Sequence, residues 1–395
     1  MAIADKMHTF MSHSSWIRKM FEDGLRLKKE FGAENVFDFS LGNPNLPPPE
    51  EFYAALKAVV EEESEGVHGY MPNAGFEEVR RSVASFVSRD QGIEMSWDHI
   101  VMSCGAAGGL NAVLKALLDQ GDEVIIPTPC FAEYRFYVDN FGGEARFVPV
   151  RSDFSLDVAA IEAAVNGRTK AVLINSPNNP TGKVYDKQCI EHLSKMLDQK
   201  GEELGCDIYL LSDEPYRDIV YDGRHVPSIP AAYRNSIIVA SYSKSLSIPG
   251  ERIGFVAVNP KAADAENLLN AITLATRILG FVNAPALMQR VVARLQGVKS
   301  ALDDYRRKRD LLCDGLVEIG YDVEKPEGAF YLFLKSPMEN DLEFVKALQK
   351  KNILTVPGSG FDGPGYVRIA YCVDDETIVS AMPGFREVLE EIKGG

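Results

Sequence analysis

The chain has 395 residues, of which 46% are hydrophobic and 25% are charged, as in ordinary globular proteins of roughly two to three domains. Its net charge of −15 disfavours nucleic acid and anionic membranes as partners. Because there is no apolar stretch of about 18 residues and no apolar N-terminal core, neither a membrane span nor a signal peptide is expected. The six cysteines lack CxxC and metal-ligand spacing, which predicts reduced thiols in a cytoplasmic protein without a metal.

Short apolar segments alternate with helical segments through the middle of the chain. We predict helices over 106–118 and 131–141. We predict strands over 99–103, 123–126, 145–150, 170–174, 208–211, 237–240 and 253–257. This alternation indicates an α/β fold with a mainly parallel sheet covered by helices on both faces. In such sheets, ligands bind at the carboxyl ends of the strands.

The pattern differs at the two ends of the chain. A proline-rich link over 43–49 separates an N-terminal arm from the first long helix, because proline disfavours helix and stiffens the chain. Near residue 290 the alternation gives way to a long charged helix, predicted over 289–319, and then to short strands and helices. We therefore predict that a second, smaller domain begins there.

Lys244 directly follows an apolar strand that ends in small hydroxyl residues. An amine held there in a partly dry site loses its proton more easily, and a neutral amine can form a Schiff base with a carbonyl. Arg252 follows shortly after, and its guanidinium suits a phosphate dianion. This pair is what a pyridoxal phosphate site requires. Taken alone, Lys244 would be interpreted more simply as a solvated loop lysine.

Other motifs reverse that simpler interpretation. They are LGNP at 41–44, NSPNNPTG at 175–182, SDEPY at 212–216, SYSK at 241–244 with Arg252, PEGAFY at 326–331 and YVRI at 366–369. Together they resemble, in order, the motifs of the class I and II aminotransferases of fold type I, which use pyridoxal 5'-phosphate. The resemblance covers the chain from about residue 40 to about residue 370.

The resemblance implies a particular division of the chain. It implies a large domain with a mainly parallel seven-stranded sheet that binds pyridoxal phosphate, and a smaller α+β domain built from two parts. Residues 1–48 would form the N-terminal arm and part of the small domain, 49–288 the large domain, and 289–395 the small C-terminal domain.

The resemblance also assigns roles around the cofactor ring. Lys244 would bind the cofactor and move a proton during catalysis, and Asp213 would keep the pyridine nitrogen protonated so that the ring withdraws electrons. Tyr216 and Asn179 would contact the ring's phenolic oxygen, and Phe131 would lie flat against the ring. The simpler alternatives are a turn aspartate, a core tyrosine, a turn asparagine and a core phenylalanine.

A second set of residues would bind the cofactor's phosphate. The backbone amides of Ala106 and Ala107 would contact it at a helix start, although small residues there also serve helix packing. Ser241, Ser243 and Arg252 are the other implied contacts, and Ser241 matches the family's phosphate serine better than Ser243 does.

Four residues are implied in substrate binding and assembly. Arg368 lies in an apolar strand and would hold the substrate's α-carboxylate by two hydrogen bonds, unless it forms an internal salt bridge. Gly42 would let the backbone approach the same carboxylate, and Asn179 would contact the substrate. Tyr70 resembles the tyrosine that reaches the phosphate of the neighbouring subunit, which implies a homodimer with shared active sites.

The implied reaction moves an amino group from an L-amino acid to a 2-oxo acid, such as 2-oxoglutarate, by a ping-pong mechanism, and aspartate aminotransferases are among the candidates. A C–S β-lyase, a decarboxylase or a synthase on the same fold is the alternative, because a fold does not fix a reaction. Two further alternatives are not enzymes. A ligand-sensing regulator would carry a DNA-binding domain ahead of Gly42. An inactive binding module would lack Lys244, Asp213 or Arg368, and all three are present. The amino donor stays open. Arg277 and Arg290 are candidates for binding a second substrate carboxylate, although most such arginines are solvated or structural.

Overall fold

The computed structural model describes residues 3–12, 16–62 and 68–394. Within these ranges the strands form one seven-stranded sheet, one three-stranded sheet and one two-stranded sheet. The strands are β1 (Phe37–Asp38), β2 (Ile100–Ser103), β3 (Glu123–Thr128), β4 (Glu144–Pro149), β5 (Thr169–Asn175), β6 (Tyr209–Asp213), β7 (Ser236–Ser241), β8 (Gly254–Val258), β9 (Tyr331–Lys335), β10 (Ile353–Leu354), β11 (Val356–Pro357) and β12 (Tyr366–Ala370).

Helices connect most of these strands. They are α1 (Asp5–Ser12), α2 (Trp16–Phe31), α3 (Glu50–Glu61), α4 (Glu77–Gln91), α5 (Gly105–Leu117), α6 (Tyr134–Asp139), α7 (Val158–Ala164), α8 (Lys187–Leu204), α9 (Ile229–Ala232), α10 (Tyr242–Ser245), α11 (Ala265–Ile278), α12 (Ala286–Ala293), α13 (Leu302–Ile319), α14 (Asp341–Gln349) and α15 (Asp375–Gly394). Among the described helices, none is both long and apolar enough to cross a bilayer.

The seven-stranded sheet has the order β2–β8–β7–β6–β5–β3–β4. Neighbouring strands from β7 to β4 pair in parallel, and β8 is antiparallel to both of its neighbours. Asn175 pairs with Asp213, and Asp213 pairs with Val239, so the carboxyl ends of β5, β6 and β7 lie side by side. The prediction of an α/β fold with a mainly parallel seven-stranded sheet is confirmed.

Helices cover both faces of this sheet because successive strand residues point to opposite sides. Val124 and Ile126 pack in a cluster with residues of α5 and α11. Ile125 between them packs with residues of α7, α8 and α9 on the other side. The sheet is therefore covered by apolar clusters on both faces, and the polar side chains of the predicted site lie at the strand ends.

A second core lies around the smaller sheets. Strands β11, β12 and β9 form an antiparallel sheet, and β1 pairs in parallel with β10. This core includes Phe330, Phe344 and Phe385, which are fully buried. The pairing of Phe37 with Ile353 brings the segment after α2 beside the C-terminal part of the chain. The domain boundaries at residues 48 and 288 stay a prediction.

Two predicted helices were wrong in extent. The single helix over 289–319 is instead two helices, because α12 ends at Ala293 and Gly297 lies in the left-handed region at φ 85°. Such a residue interrupts a helix. The helix predicted over 131–141 is limited to α6, because Phe131 forms a turn in which its carbonyl accepts from the Tyr134 amide.

Candidate active site

A cavity of about 260 Å³ lies at the carboxyl ends of β5, β6 and β7. Apart from Tyr70 and the two candidate arginines, Arg277 and Arg290, every predicted site residue lines it. These residues are Gly42, Ala106, Ala107, Phe131, Asn179, Asp213, Tyr216, Ser241, Ser243, Lys244, Arg252 and Arg368. Their convergence follows from the topology, since neighbouring parallel strands bring their final residues to one edge.

Lys244 lies in the short helix α10, directly after β7. Its Nζ donates a hydrogen bond of 2.7 Å to the Gly42 carbonyl and lies 5.6 Å from the centre of the Phe330 ring. Burial, together with the nearby guanidinium groups of Arg368 and Arg252, lowers the pKa of Lys244 to about 8. The amine therefore reaches its neutral, nucleophilic form far more readily than a solvated lysine does.

The position of Gly42 depends on the absence of a side chain. A Cβ atom there would lie 1.8 Å from the Tyr331 hydroxyl oxygen. That hydroxyl also lies 2.8 Å from the Tyr216 hydroxyl. The close approach lets the Gly42 carbonyl reach Lys244 while both tyrosines stay on the cavity wall.

Gly42→Ala should therefore disturb the site without removing any polar group. The added methyl group must displace Tyr331 or the Gly42 carbonyl, so we expect kcat/KM to fall by about tenfold or more. Gly167→Ala is the matched control, because a Cβ atom at Gly167 would have no neighbour within 4 Å. Equal steady-state activity in the two variants would contradict the steric argument.

Asp213 is the last residue of β6 and is deeply buried. Its Oδ2 accepts a hydrogen bond of 2.6 Å from the Tyr134 hydroxyl, and its backbone carbonyl accepts one of 2.8 Å from Asn175 Nδ2. Its other oxygen, Oδ1, is buried without a hydrogen-bond partner among the described residues. Burial raises the pKa of Asp213 to about 7. An unsatisfied buried oxygen of this kind is costly, and a donor in the cavity would satisfy it.

Arg368 lies on β12 and is 2% exposed. Its Nη1 donates to Asn179 Oδ1 at 3.0 Å and its Nη2 donates to the Ser40 carbonyl at 2.7 Å. The guanidinium is held between two rings, 4.5 Å from the centre of Tyr331 and 4.6 Å from that of Phe361. Its Nε has no acceptor, and no ion pair joins Arg368 to a carboxylate in the part of the chain that is described. Burial lowers the pKa of Arg368, although nearby acidic groups that include the Glu133 carboxyl oppose the shift, so an anion in the cavity would stabilise the guanidinium.

Several groups suited to an anion meet at another part of the cavity. Ala106 and Ala107 lie in the first turn of α5, where backbone amides lack partners within the helix. Ser241 Oγ donates to Ser243 Oγ at 2.6 Å and accepts from the Ser243 amide at 3.0 Å. Arg252 Nη1 donates to the Pro249 carbonyl at 2.9 Å. The serine hydroxyls and the guanidinium thus lie beside the start of a helix, which is favourable for a phosphate.

Three residues of the site contact predicted site residues, although the sequence had assigned no role to any of the three. Asn175 contacts two predicted site residues. Its Oδ1 accepts a hydrogen bond of 2.7 Å from the Asn179 amide, and its Nδ2 donates to the Asp213 carbonyl. Tyr331 touches Tyr216 and Arg368. Both stood inside quoted motifs at strand ends, which was a usable signal. Tyr134 carried no such signal, because its contact with Asp213 spans 79 positions.

Three candidate residues lie outside the cavity. Tyr70 is 94% exposed and borders a separate surface depression with His68 and Phe281. Arg277 is exposed on α11, and Arg290 lies against the Phe76 ring at 4.8 Å. Within this single chain neither arginine lines the cavity, so neither is placed to bind a substrate side chain from the same subunit.

The sequence model of the family described as "Aminotransferase class I and II" matches residues 34–383, so the chain belongs to this family. Enzymes of the family use pyridoxal phosphate. The chain is therefore an aminotransferase, which moves an amino group from an amino acid to a 2-oxo acid. The alternative of a lyase, decarboxylase or synthase on the same fold is not favoured.

Named relatives are similar over nearly their whole length. An aspartate aminotransferase of Pyrococcus horikoshii is 30% identical, with 95% of each chain covered. An aromatic-amino-acid aminotransferase of Thermococcus litoralis is 31% identical, with 100% of each covered. Among solved structures, an aminotransferase of Eubacterium rectale superposes with a TM-score of 0.95 at 40% identity and 99% coverage of each chain. An aspartate aminotransferase of Thermus thermophilus with maleate gives 0.85 at 27% identity, covering 95% of this chain and 97% of that one.

Proposed function

We propose that this aminotransferase holds pyridoxal 5'-phosphate in the cavity described above and transfers amino groups by a ping-pong mechanism. The observation that carries the proposal is that Asp213 lines the same cavity as Lys244 and Arg252 while its Oδ1 has no hydrogen-bond partner among the described residues. A pyridine nitrogen that carries a proton is the donor this buried oxygen needs, and the carboxylate would keep it protonated. Asp213 would thus hold the ring end of the cofactor.

The remaining cofactor contacts follow from the cavity's chemistry. Arg252, the hydroxyls of Ser241 and Ser243, and the amides of Ala106 and Ala107 would bind the phosphate. Phe131 would pack against the ring, and the Tyr216 hydroxyl and Asn179 would contact its phenolic oxygen. When bound, pyridoxal phosphate supplies an electron-withdrawing ring that stabilises negative charge at the substrate's α-carbon.

Arg368 would bind the α-carboxylate of the amino acid. Arg368 lines the cavity and its Nε has no acceptor among the described residues, and a guanidinium suits a two-pronged contact with a carboxylate. Gly42 and Asn179 border the same space. Such a contact would fix the substrate so that the bond from its α-carbon to hydrogen faces Lys244.

Lys244 would attach the cofactor through its amine and act as general base and acid once that amine is free. With its pKa lowered to about 8, Nζ can take the proton from the substrate's α-carbon and return it near neutral pH. The Gly42 carbonyl, 2.7 Å from Nζ, keeps the amine at this edge of the cavity. One residue would thus both take and return the proton.

A donor screen tests this proposal. Purified enzyme supplied with pyridoxal phosphate is incubated with single L-amino acids and 2-oxoglutarate, and glutamate formation is measured. The relatives named aspartate and aromatic-amino-acid aminotransferase make these two donor classes the first to test. We expect glutamate with at least one donor and none with the Lys244→Ala variant. Release of ammonia, sulfide or carbon dioxide without any glutamate would contradict the proposal.

Assembly as a homodimer with shared sites is the second part of the proposal. Its support is the exposure of Tyr70, a large aromatic side chain left uncovered beside Phe281 in the single chain. If Tyr70 reaches the phosphate bound by a partner subunit, Tyr70→Phe should weaken cofactor retention by roughly ten- to a hundredfold, since a hydrogen bond to a charged group is lost. Equilibrium dialysis measures this. Tyr53→Phe is the matched control, because Tyr53 is also exposed, at 54%.

Mixing two inactive variants gives a sharper test of shared sites. In a hybrid of Tyr70→Ala and Lys244→Ala subunits, one site receives both changes and the other keeps native Lys244 and native Tyr70. Activity should therefore return in part after subunit exchange, provided that Tyr70→Ala alone is strongly impaired. Hybrids that form but regain nothing, or an active monomer in sedimentation, would rule out the shared site.

A further inference from the structure

We infer that Tyr134 is a positioning residue that acts through Asp213, holding one carboxylate oxygen so that the other is presented to the cavity. The inference rests on the proposed function, since it concerns the carboxylate that would hold the cofactor's ring nitrogen. Tyr134 is 1% exposed, and its hydroxyl donates to Asp213 Oδ2 at 2.6 Å. A phenol has one proton to donate, and here that proton is used on Asp213.

The hydrogen bond fixes the orientation of the carboxylate. Oδ2 is engaged by Tyr134, and Oδ1 has no partner among the described residues. Rotation of the carboxyl group by half a turn would only exchange the two oxygens, so one oxygen is always engaged by the phenol and the other is left for a partner in the cavity that Asp213 lines. Asn175 fixes the backbone of the same residue through the Asp213 carbonyl. The Asp213 oxygen that is left to accept a hydrogen bond from a bound molecule is therefore Oδ1.

The charges around Asp213 make this donor important. Its titratable neighbours are Glu214, which follows it in the chain, and the phenols of Tyr134, Tyr137 and Tyr216. Glu214 opposes the Asp213 charge, although Arg217 Nη1 lies 3.2 Å from Glu214 Oε2 and balances it. No cation pairs with Asp213 in the described ranges, so the Tyr134 hydroxyl is the group that stabilises its charged form.

The direction of the effect on titration follows from these contacts. Burial raises the pKa of Asp213, and the hydrogen bond from Tyr134 opposes that rise. Burial also raises the pKa of Tyr134 well above its usual value, so the phenol keeps its proton and remains a donor. Loss of the hydroxyl removes a stabiliser of the carboxylate only, so the pKa of Asp213 should rise further and the charged form should appear only at higher pH.

Local structure explains why this tyrosine reaches the site. The turn in which the Tyr134 amide donates to the Phe131 carbonyl points both rings toward the cavity, in an edge-to-face contact with centres 5.5 Å apart. One turn thus supplies both the ring that would pack on the cofactor and the phenol that orients Asp213. Tyr134→Phe keeps the ring and this contact, so it removes the hydroxyl alone.

The test compares Tyr134→Phe with Tyr209→Phe. The control removes a phenol hydroxyl from β6, the strand that carries Asp213, but that hydroxyl donates to the Ala263 carbonyl at 2.9 Å. In the enzyme freed of cofactor, infrared difference spectra against Asp213→Asn follow the protonated carboxyl group with pH. We expect its midpoint to move upward by about one to two pH units in Tyr134→Phe and to stay unchanged in the control.

Cofactor affinity supplies the second readout. Equilibrium dialysis with pyridoxal phosphate should show about tenfold or weaker retention by Tyr134→Phe, whereas Tyr209→Phe should match the wild type. When Tyr134→Phe is added to Asp213→Asn, it should weaken cofactor retention much less than it does in the wild type, because the two residues act as one unit. That non-additivity is not expected if Tyr134 only supports the fold.

Separate results would overturn the two ideas. Wild-type protein that binds no pyridoxal phosphate would overturn the proposed function, and the role of Tyr134 toward the cofactor with it. Wild-type binding together with an unmoved infrared midpoint in Tyr134→Phe would overturn the inference alone. Additive losses in the double variant would also overturn it, since they would mean that Tyr134 acts independently of Asp213.

Discussion

Lys244→Ala is expected to lower the transamination rate by about 10⁴-fold or more, because the same amine would attach the cofactor and move the substrate's proton. Of the lysines that the structure describes, Lys244 alone lines the cavity. Its buried position and lowered pKa suit both tasks. The visible absorption band of the attached cofactor should disappear together with the activity.

Chemical trapping locates the attachment directly. After borohydride reduction of the wild-type enzyme, mass spectrometry should find the cofactor on the peptide that contains Lys244 and on no other. Lys57→Ala is the control, because the Lys57 side chain is 77% exposed on helix α3 and does not line the cavity. Near-normal transamination by Lys244→Ala, or trapping at a different lysine, would contradict the assignment.

Asp213→Ala is expected to retain cofactor through the phosphate contacts but to lose most of its rate. Removal of one partner from a buried charge pair costs about 3–5 kcal/mol, which corresponds to roughly 10²- to 10⁴-fold in rate. The pair here would be Asp213 Oδ1 and the protonated ring nitrogen, whose charge makes the ring withdraw electrons. Cofactor content and kcat should be measured on the same preparation.

The control for this variant is Asp303→Ala, which removes a carboxylate that is 88% exposed at the start of α13. It should leave both cofactor content and kcat at wild-type values. Full activity in Asp213→Ala would mean that Asp213 serves only to end β6, and the proposed pairing with the ring would fail.

The local sequence pattern was sufficient to predict which strand ends form the site. The strands that end at Asn175, Asp213 and Ser241 were visible as short apolar runs, and parallel pairing brings such ends together. The residues that follow them could therefore be assigned to one cavity before any contact was known. The break between α12 and α13 escaped prediction because the effect of Gly297 on the helix depends on its backbone angle.

Hydrogen bonds between site residues that are far apart in the sequence could not be predicted from the local sequence pattern. Gly42 and Lys244 are 202 positions apart, and Asn179 and Arg368 are 189 apart. Whether a glycine carbonyl reaches an amine depends on how two distant segments pack, not on the residues beside either one. The contact between Tyr134 and Asp213 could not be predicted for the same reason. The apolar pattern around position 134 would fit a buried phenylalanine equally well, so it does not indicate that a hydroxyl group is needed there.

The half-reaction without an acceptor tests the central claim most directly. Enzyme loaded with pyridoxal phosphate is mixed with an active donor alone, and the cofactor spectrum and the released 2-oxo acid are followed together. Ping-pong amino transfer predicts about one equivalent of 2-oxo acid per site, loss of the visible band, and full recovery of that band when 2-oxoglutarate is added. Continuous release of product without any acceptor, or a spectrum that 2-oxoglutarate does not restore, would contradict the assignment as an aminotransferase.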